Sequence, residues 1–108
     1  MKKLSEMKCS AGGPVKALSE ADIATNLGML ADWKRVENEI VKTFTFKNYH
    51  ETMAFVNASA WVSHREDHHP DIGLHYNRCV VHYSTHDAGG ITLNDFICAA
   101  KLDELFAT

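Results

Sequence analysis

Seven histidines stand in this 108-residue chain; five fall between His64 and His82, and His86 lies just beyond. Imidazole is the side chain whose ordinary pKa, about 6.5, lets it both give and take a proton near neutrality. A cluster of imidazoles is therefore a candidate for general acid–base chemistry. Two segments concentrate it: His64-Arg65-Glu66-Asp67-His68-His69-Pro70 and Ser84-Thr85-His86-Asp87-Ala88-Gly89-Gly90. Adjacent side chains diverge, so His68 and His69 are expected to do different work. Pro70 restricts the backbone behind them, and the glycines after His86 permit a tight turn or the close approach of a ligand.

The bland readings weigh against single residues. His64 reads as a solvated helix-end residue, His82 as a sheet-face residue, and His50 and His75 as surface. The competing chemistry is a metal site. His64 and His68 stand at i and i+4, one face of a helix, and His69 or His86 could complete a shell. The HExxH pattern and a neighbouring cysteine pair are both absent from the sequence, so no metal is expected.

The elements that must hold these residues follow from apolar spacing. Residues 1–18, with Gly12-Gly13-Pro14, read as a loosely ordered lead-in to one domain over 19–108. Ser19 caps a first helix with its stripe on Ile23, Leu27 and Leu30, ending near Asp32. Period-two alternation from Trp33 to Phe46 predicts a hairpin turning at Glu37-Asn38, with Ile40, Phe44 and Phe46 on one face. Asn48 caps a second helix with a stripe of Tyr49, Met53, Val56 and Ala60, ended by His69 before Pro70. Two short strands, 72–76 and 78–84, turn at Asn77. Thr92, with Asp95 three residues on, then opens a last helix whose inner face is Leu93, Ile97 and Ala100. The order is α-β-β-α-β-β-α: an α+β domain with a four-stranded antiparallel sheet and three helices on one face. Trp33 and Trp61 read as core or interface residues.

Composition excludes several classes. A net charge of −3 with scattered basic residues speaks against nucleic acid. No stretch has the length or apolarity of a membrane span, and the N-terminal lysines precede no apolar signal core. Three cysteines without a CxxC pair read as reduced thiols, so a cytoplasmic protein is expected.

The order His64, His68-His69-Pro70, Tyr76, His86 and Asp95 resembles the signature of the pterin-4a-carbinolamine dehydratases. The resemblance extends through Phe44-Thr45-Phe46-Lys47-Asn48-Tyr49 and Asn94-Asp95-Phe96-Ile97, and covers roughly residues 19 to 106. It implies dehydration of 4a-hydroxytetrahydrobiopterin to a quinonoid dihydropterin and water, a step of tetrahydrobiopterin recycling. The hydroxyl must be protonated to leave and the N5 proton removed, so one acid and one base suffice, without cofactor or metal. By position His68 and His86 match the acid/base pair, and His69 matches a residue that contacts and orients the pterin. Pro70, Thr85, Asp87 and Ala88 match substrate-contacting positions, and Asp95 an acidic position behind the site. The resemblance also implies a homodimer or homotetramer and an aromatic amino-acid hydroxylase as metabolic companion. In some animal members it includes dimerisation with a transcription factor. The chain departs from the animal members in having His64 in place of a glutamate and Asn94 in place of an arginine.

Overall fold

The computed structural model describes residues 3–9 and 15–107. The first helix, α1, spans Glu20–Leu27, and the Ser19 hydroxyl accepts from the Asp22 amide as its N-cap. It stops short of Asp32. At Gly28 the amide spacing tightens, with Met29 and Leu30 bonding back to Asn26 and Leu27, and Asp32 takes a left-handed φ of 67° that turns the chain into the sheet. Ile23 is buried, and Leu27 and Leu30 pack partly buried against the core.

Strands β1 (Lys34–Val36) and β2 (Glu39–Thr45) form the expected hairpin across Glu37-Asn38. Strands β3 (Asp71–Leu74) and β4 (Arg78–Tyr83) form the second hairpin. The sheet is antiparallel throughout, in the order β1-β2-β4-β3. The central register pairs Ile40 with Tyr83, Lys42 with Val81 and Phe44 with Cys79, so these side chains share one face. All but Lys42 are buried and pack with Ile23, Trp33, Phe55, Phe96 and Leu102 into one core. The α+β order inferred from the sequence is the order of the structure.

Helix α2 spans Tyr49–Glu66, with the Asn48 side chain accepting from the Glu51 amide. Its buried face is Thr52, Phe55, Ser59, Ser63 and Glu66, about one residue round from the predicted stripe. Tyr49 and Ala60 are exposed, and Met53 and Val56 only half-buried. The reason is hydroxyl chemistry. Thr52 Oγ1 contacts the carbonyls of Asn48 and Tyr76, Ser59 donates to Val56 O, and Ser63 donates to Ser59 O. Small polar groups satisfied in this way can be buried cheaply. Trp61, on the outer side, is 63% exposed, whereas Trp33 is buried.

Helix α3 (Leu93–Ala107) is buried around most of its first two turns, beyond the expected Ile97 and Ala100; Leu93 itself is half-buried. Asp103 ties it to the sheet, accepting from Trp33 Nε1 at 3.0 Å and from Lys42 Nζ at 2.8 Å. Where a loose lead-in was expected, Leu4–Glu6 forms a 3₁₀ turn against α3 and Lys101 Nζ donates to Ser5 O. Gly12-Gly13-Pro14 lie outside the described residues.

Candidate active site

The end of α2 aims the first site residue. The Asp67 amide bonds to His64 O and the His68 amide to Ser63 O, a Schellman arrangement with Asp67 at φ 50°. The helix therefore ends before His68, at Glu66. His64 stays exposed on the last turn of α2, and the i, i+4 helix face considered for a metal is not formed. Thrown clear of the helix, His68 reaches the start of α3. Its Nε2 lies 2.6 Å from Asp95 Oδ1, with the two side chains 12% and 0% exposed.

Asp95 is the third residue of α3, and its carboxylate is fully partnered. Oδ2 accepts from the Thr92 amide at 2.9 Å and from Thr85 Oγ1 at 2.9 Å, while Thr85 and Thr92 hydroxyls lie 2.8 Å apart. The Thr92 contact is half of a capping box, and the first turn of a helix favours a negative charge. A carboxylate buried this completely needs such partners. An ionised carboxylate has only acceptors, so Nε2 of His68 is the donor and Nδ1 is left to take or give a proton. The ring is also held in plane, lying parallel to Tyr83 at 5.8 Å and 6°.

Thr85 leads directly to the other segment. After β4, His86–Ala88 make a 3₁₀ turn closed by Gly89 at φ 74°, and Thr85 and Gly90 form a bridge across it. His86 and Asp87 are exposed and Ala88 is half-buried. His86 borders a hollow of about 310 Å³ walled by Thr85 and by Glu37, Asn38 and Glu39 of the first hairpin. A larger hollow of about 710 Å³ lies between Phe46, Phe55, Ala58 and Phe106; it has no histidine in its wall and stands apart from these groups.

A family model for pterin 4 alpha carbinolamine dehydratase matches residues 16–105. The chain belongs to this family. Among its relatives is a protein of Chromobacterium violaceum, provisionally named a pterin-4-alpha-carbinolamine dehydratase. The two are 55% identical over 103 residues, 95% of each chain. A protein of Nitrosospira multiformis with the same provisional name is 55% identical over 94 residues, 87% of this chain and 83% of its own. A crystal structure titled transcriptional coactivator/pterin dehydratase from Brucella melitensis superposes with a TM-score of 0.81 at 29% identity, covering 83% of this chain and 98% of that one.

Of the positions that match the pterin dehydratase signature, the structure bonds His68, Thr85 and Asp95 into one unit. His86 and Asp87 follow Thr85 in the chain, and His69 and Pro70 follow His68. His69 is exposed and Pro70 half-buried. Among the described residues no side-chain hydrogen bond fixes His69 or His86. Two contributors escaped the sequence reading. Thr92 was visible as a cap, but its hydroxyl contact with Thr85 is tertiary. Tyr83 was visible only through strand alternation, which places it on the inner face two residues before Thr85. Burial pushes its hydroxyl well above the ordinary phenol range, helped by the nearby Cys98, Cys9 and Asp95. Asn94, one of the two departures from the animal pattern, is buried beside Asp95 in sequence. Among the described residues no three His, Cys, Asp or Glu side chains converge to hold a metal ion, and no helix is long and apolar enough to cross a membrane.

Proposed function

We propose that this chain dehydrates a pterin-4a-carbinolamine, with His68 and His86 as the acid/base pair and Asp95 as the residue that orients His68. The observation that carries the reading is the buried His68–Asp95 contact, set at the same end of β4 as the exposed His86. Membership of the family and the names of its relatives support the reaction class.

The reaction breaks the C4a–O bond and removes the N5 proton. One imidazole in its protonated form delivers a proton to the departing hydroxyl, which leaves as water. The other, neutral, takes the N5 proton as the C4a=N5 bond forms. Each such group contributes about 10²–10⁴-fold. His68, with one nitrogen committed to Asp95, presents its other ring nitrogen in a fixed orientation, while the exposed His86 can adjust to the substrate. His69 and the Thr85–Ala88 turn supply the remaining pterin contacts. Nothing in this scheme calls for a cofactor, and the product suits the reductive recycling of the tetrahydropterin used by an aromatic amino-acid hydroxylase.

The test is stopped-flow absorbance of 4a-hydroxytetrahydropterin decay, the substrate being generated by a hydroxylase, with wild type, His68→Ala and His86→Ala. Wild type is expected to accelerate decay, and each variant to lose about a hundredfold or more. Decay no faster than in buffer would remove the dehydratase reading.

A further inference from the structure

Cys9 and Cys98 come from opposite ends of the chain, and their sulfurs lie 3.5 Å apart. Cys9 is half-buried at the end of the N-terminal segment; Cys98 is fully buried on α3. Cys9 is anchored, its amide donating to Glu66 Oε1 at 2.9 Å and its Sγ lying 3.7 Å from Asn94 O. The pair is thus held in contact by groups that belong neither to Cys9 nor to Cys98. Cys79, the third cysteine, is buried on β4.

We infer that Cys9 and Cys98 form a redox site, oxidised by hydroperoxides to an intramolecular disulfide that fastens the N-terminal segment to α3. Disulfide bonding brings two sulfurs to about 2.05 Å, so the thiols need approach by only about 1.5 Å. Rotation of the half-exposed Cys9 side chain supplies such a movement.

The chemistry balances in two steps. The Cys9 thiol is oxidised by the peroxide to a sulfenic acid, the O–O bond breaking and the peroxide leaving as an alcohol or, from hydrogen peroxide, as water. Cys98 sulfur then attacks the sulfenic sulfur of Cys9. The S–O bond breaks and the hydroxyl departs as water with the Cys98 proton. In sum, two thiols and one hydrogen peroxide give one disulfide and two waters. The accessibility order sets the roles: Cys9 meets the oxidant and Cys98, shielded, resolves it. The Cys9 contact and burial disfavour ionisation of Cys98, so Cys98 does not compete for the oxidant, and it gives up its proton only as it attacks the adjacent sulfenic sulfur. The bridge would lie three residues along α3 from Asp95, on the helix that carries the partner of His68.

The experiment treats the full chain with hydrogen peroxide, then alkylates under denaturing conditions and measures intact mass and peptides. Wild type is expected to lose two hydrogens and two of its three alkylatable thiols, leaving Cys79 reactive and yielding a peptide linked through Cys9 and Cys98. Its Tm should rise by at least about 5 °C and fall back with dithiothreitol. Cys9→Ser, which leaves the buried Cys98 and its packing in place, should show neither change. Three alkylatable thiols after treatment would overturn the inference. So would addition of oxygens to Cys9 while Cys98 stays reduced, a bridge to Cys79 or between chains, or an equal Tm shift in Cys9→Ser. The readout does not depend on dehydratase activity.

Discussion

Replacing Asp95 by asparagine changes one oxygen to an amide nitrogen in a group with three hydrogen-bond partners. The Thr92 amide and the Thr85 hydroxyl both converge on Oδ2, so the asparagine oxygen is held on that side. The amide nitrogen then faces His68 Nε2, at a position where the carboxylate contact is 2.6 Å. Two donors cannot face each other, so His68 must shift its proton to Nδ1 and accept at Nε2. The nitrogen that would act as base is now protonated, and the negative charge that would stabilise an imidazolium is gone. Losing a hydrogen bond to a charged group costs about 1.5–3 kcal/mol, or about 10- to 150-fold in rate. The wrong tautomer adds part of the about 10²–10⁴-fold assigned to one acid or base. The expected fall in kcat is about 10²–10³-fold, with KM changed less than about threefold. Stability should fall only modestly, since both helix-start contacts keep their acceptor. Stopped-flow decay of the 4a-hydroxytetrahydropterin measures the rate, and the double variant with His68→Ala completes the cycle. If Asp95 acts through His68, the double variant is no slower than His68→Ala alone. Losses that multiply, or an Asp95→Asn rate within about threefold of wild type, would refute the reasoning.

Tyr83→Phe removes a buried hydroxyl that makes no hydrogen bond of good geometry among the described residues, the Cys98 thiol being its polar neighbour. Urea unfolding should show stability unchanged or raised by about 1 kcal/mol, and a loss would mean the hydroxyl is partnered after all. Asp103→Ala leaves Trp33 Nε1 without its acceptor and Lys42, whose side chain is only 12% exposed, without its carboxylate partner and with the Ala31 carbonyl alone among the described residues. Chemical denaturation should record a loss of about 2–4 kcal/mol. Burial pushes the Cys79 thiol from 9.0 to about 11. The unfolded chain therefore releases that proton first as pH rises, and the stability it confers is present below pH 9 and lost by about pH 11. The loss from this one group amounts to as much as about 2.7 kcal/mol. Cys79→Ala should accordingly show a shallower alkaline decline in urea midpoint than wild type, and parallel declines would contradict it.

Much of the scaffold was legible because its signals are local. Ser19, Asn48 and the Thr92/Asp95 pair are caps with a fixed offset to the amide they satisfy, and the Ile40/Phe44 alternation assigns a face without knowledge of the partner strand. The inner face of α2 was not legible. Counting apolar residues selects Tyr49, Met53, Val56 and Ala60, whereas the packed face carries Thr52, Ser59 and Ser63, whose hydroxyls bond to nearby carbonyls. Nothing in a hydropathy pattern distinguishes a hydroxyl satisfied by its own helix from one that needs water. The candidate site divides in the same way. The histidine pattern located the two segments, and Asp95 was marked by the family resemblance. The Thr85–Thr92 contact appears only when the end of β4 meets the start of α3, and the stacking of Tyr83 on His68 only when the end of α2 meets β4. The early end of α2, at Glu66, was hidden because Pro70 offered a later and sufficient reason to stop.

Asp95 serves two masters: it receives the Thr92 amide that starts α3 and the imidazole of His68. Helix initiation and site assembly are consequently one equilibrium rather than two. Fraying of the first turn of α3 releases the carboxylate, and His68 loses its orienting partner in the same event. The Thr92 amide, buried with its residue, thereby becomes a reporter: its hydrogen–deuterium exchange rate measures the fraction of molecules in which the site is undone. A substrate or inhibitor that needs His68 in place should slow exchange at this amide, although the amide itself is turned away from solvent and makes its bond to the carboxylate alone.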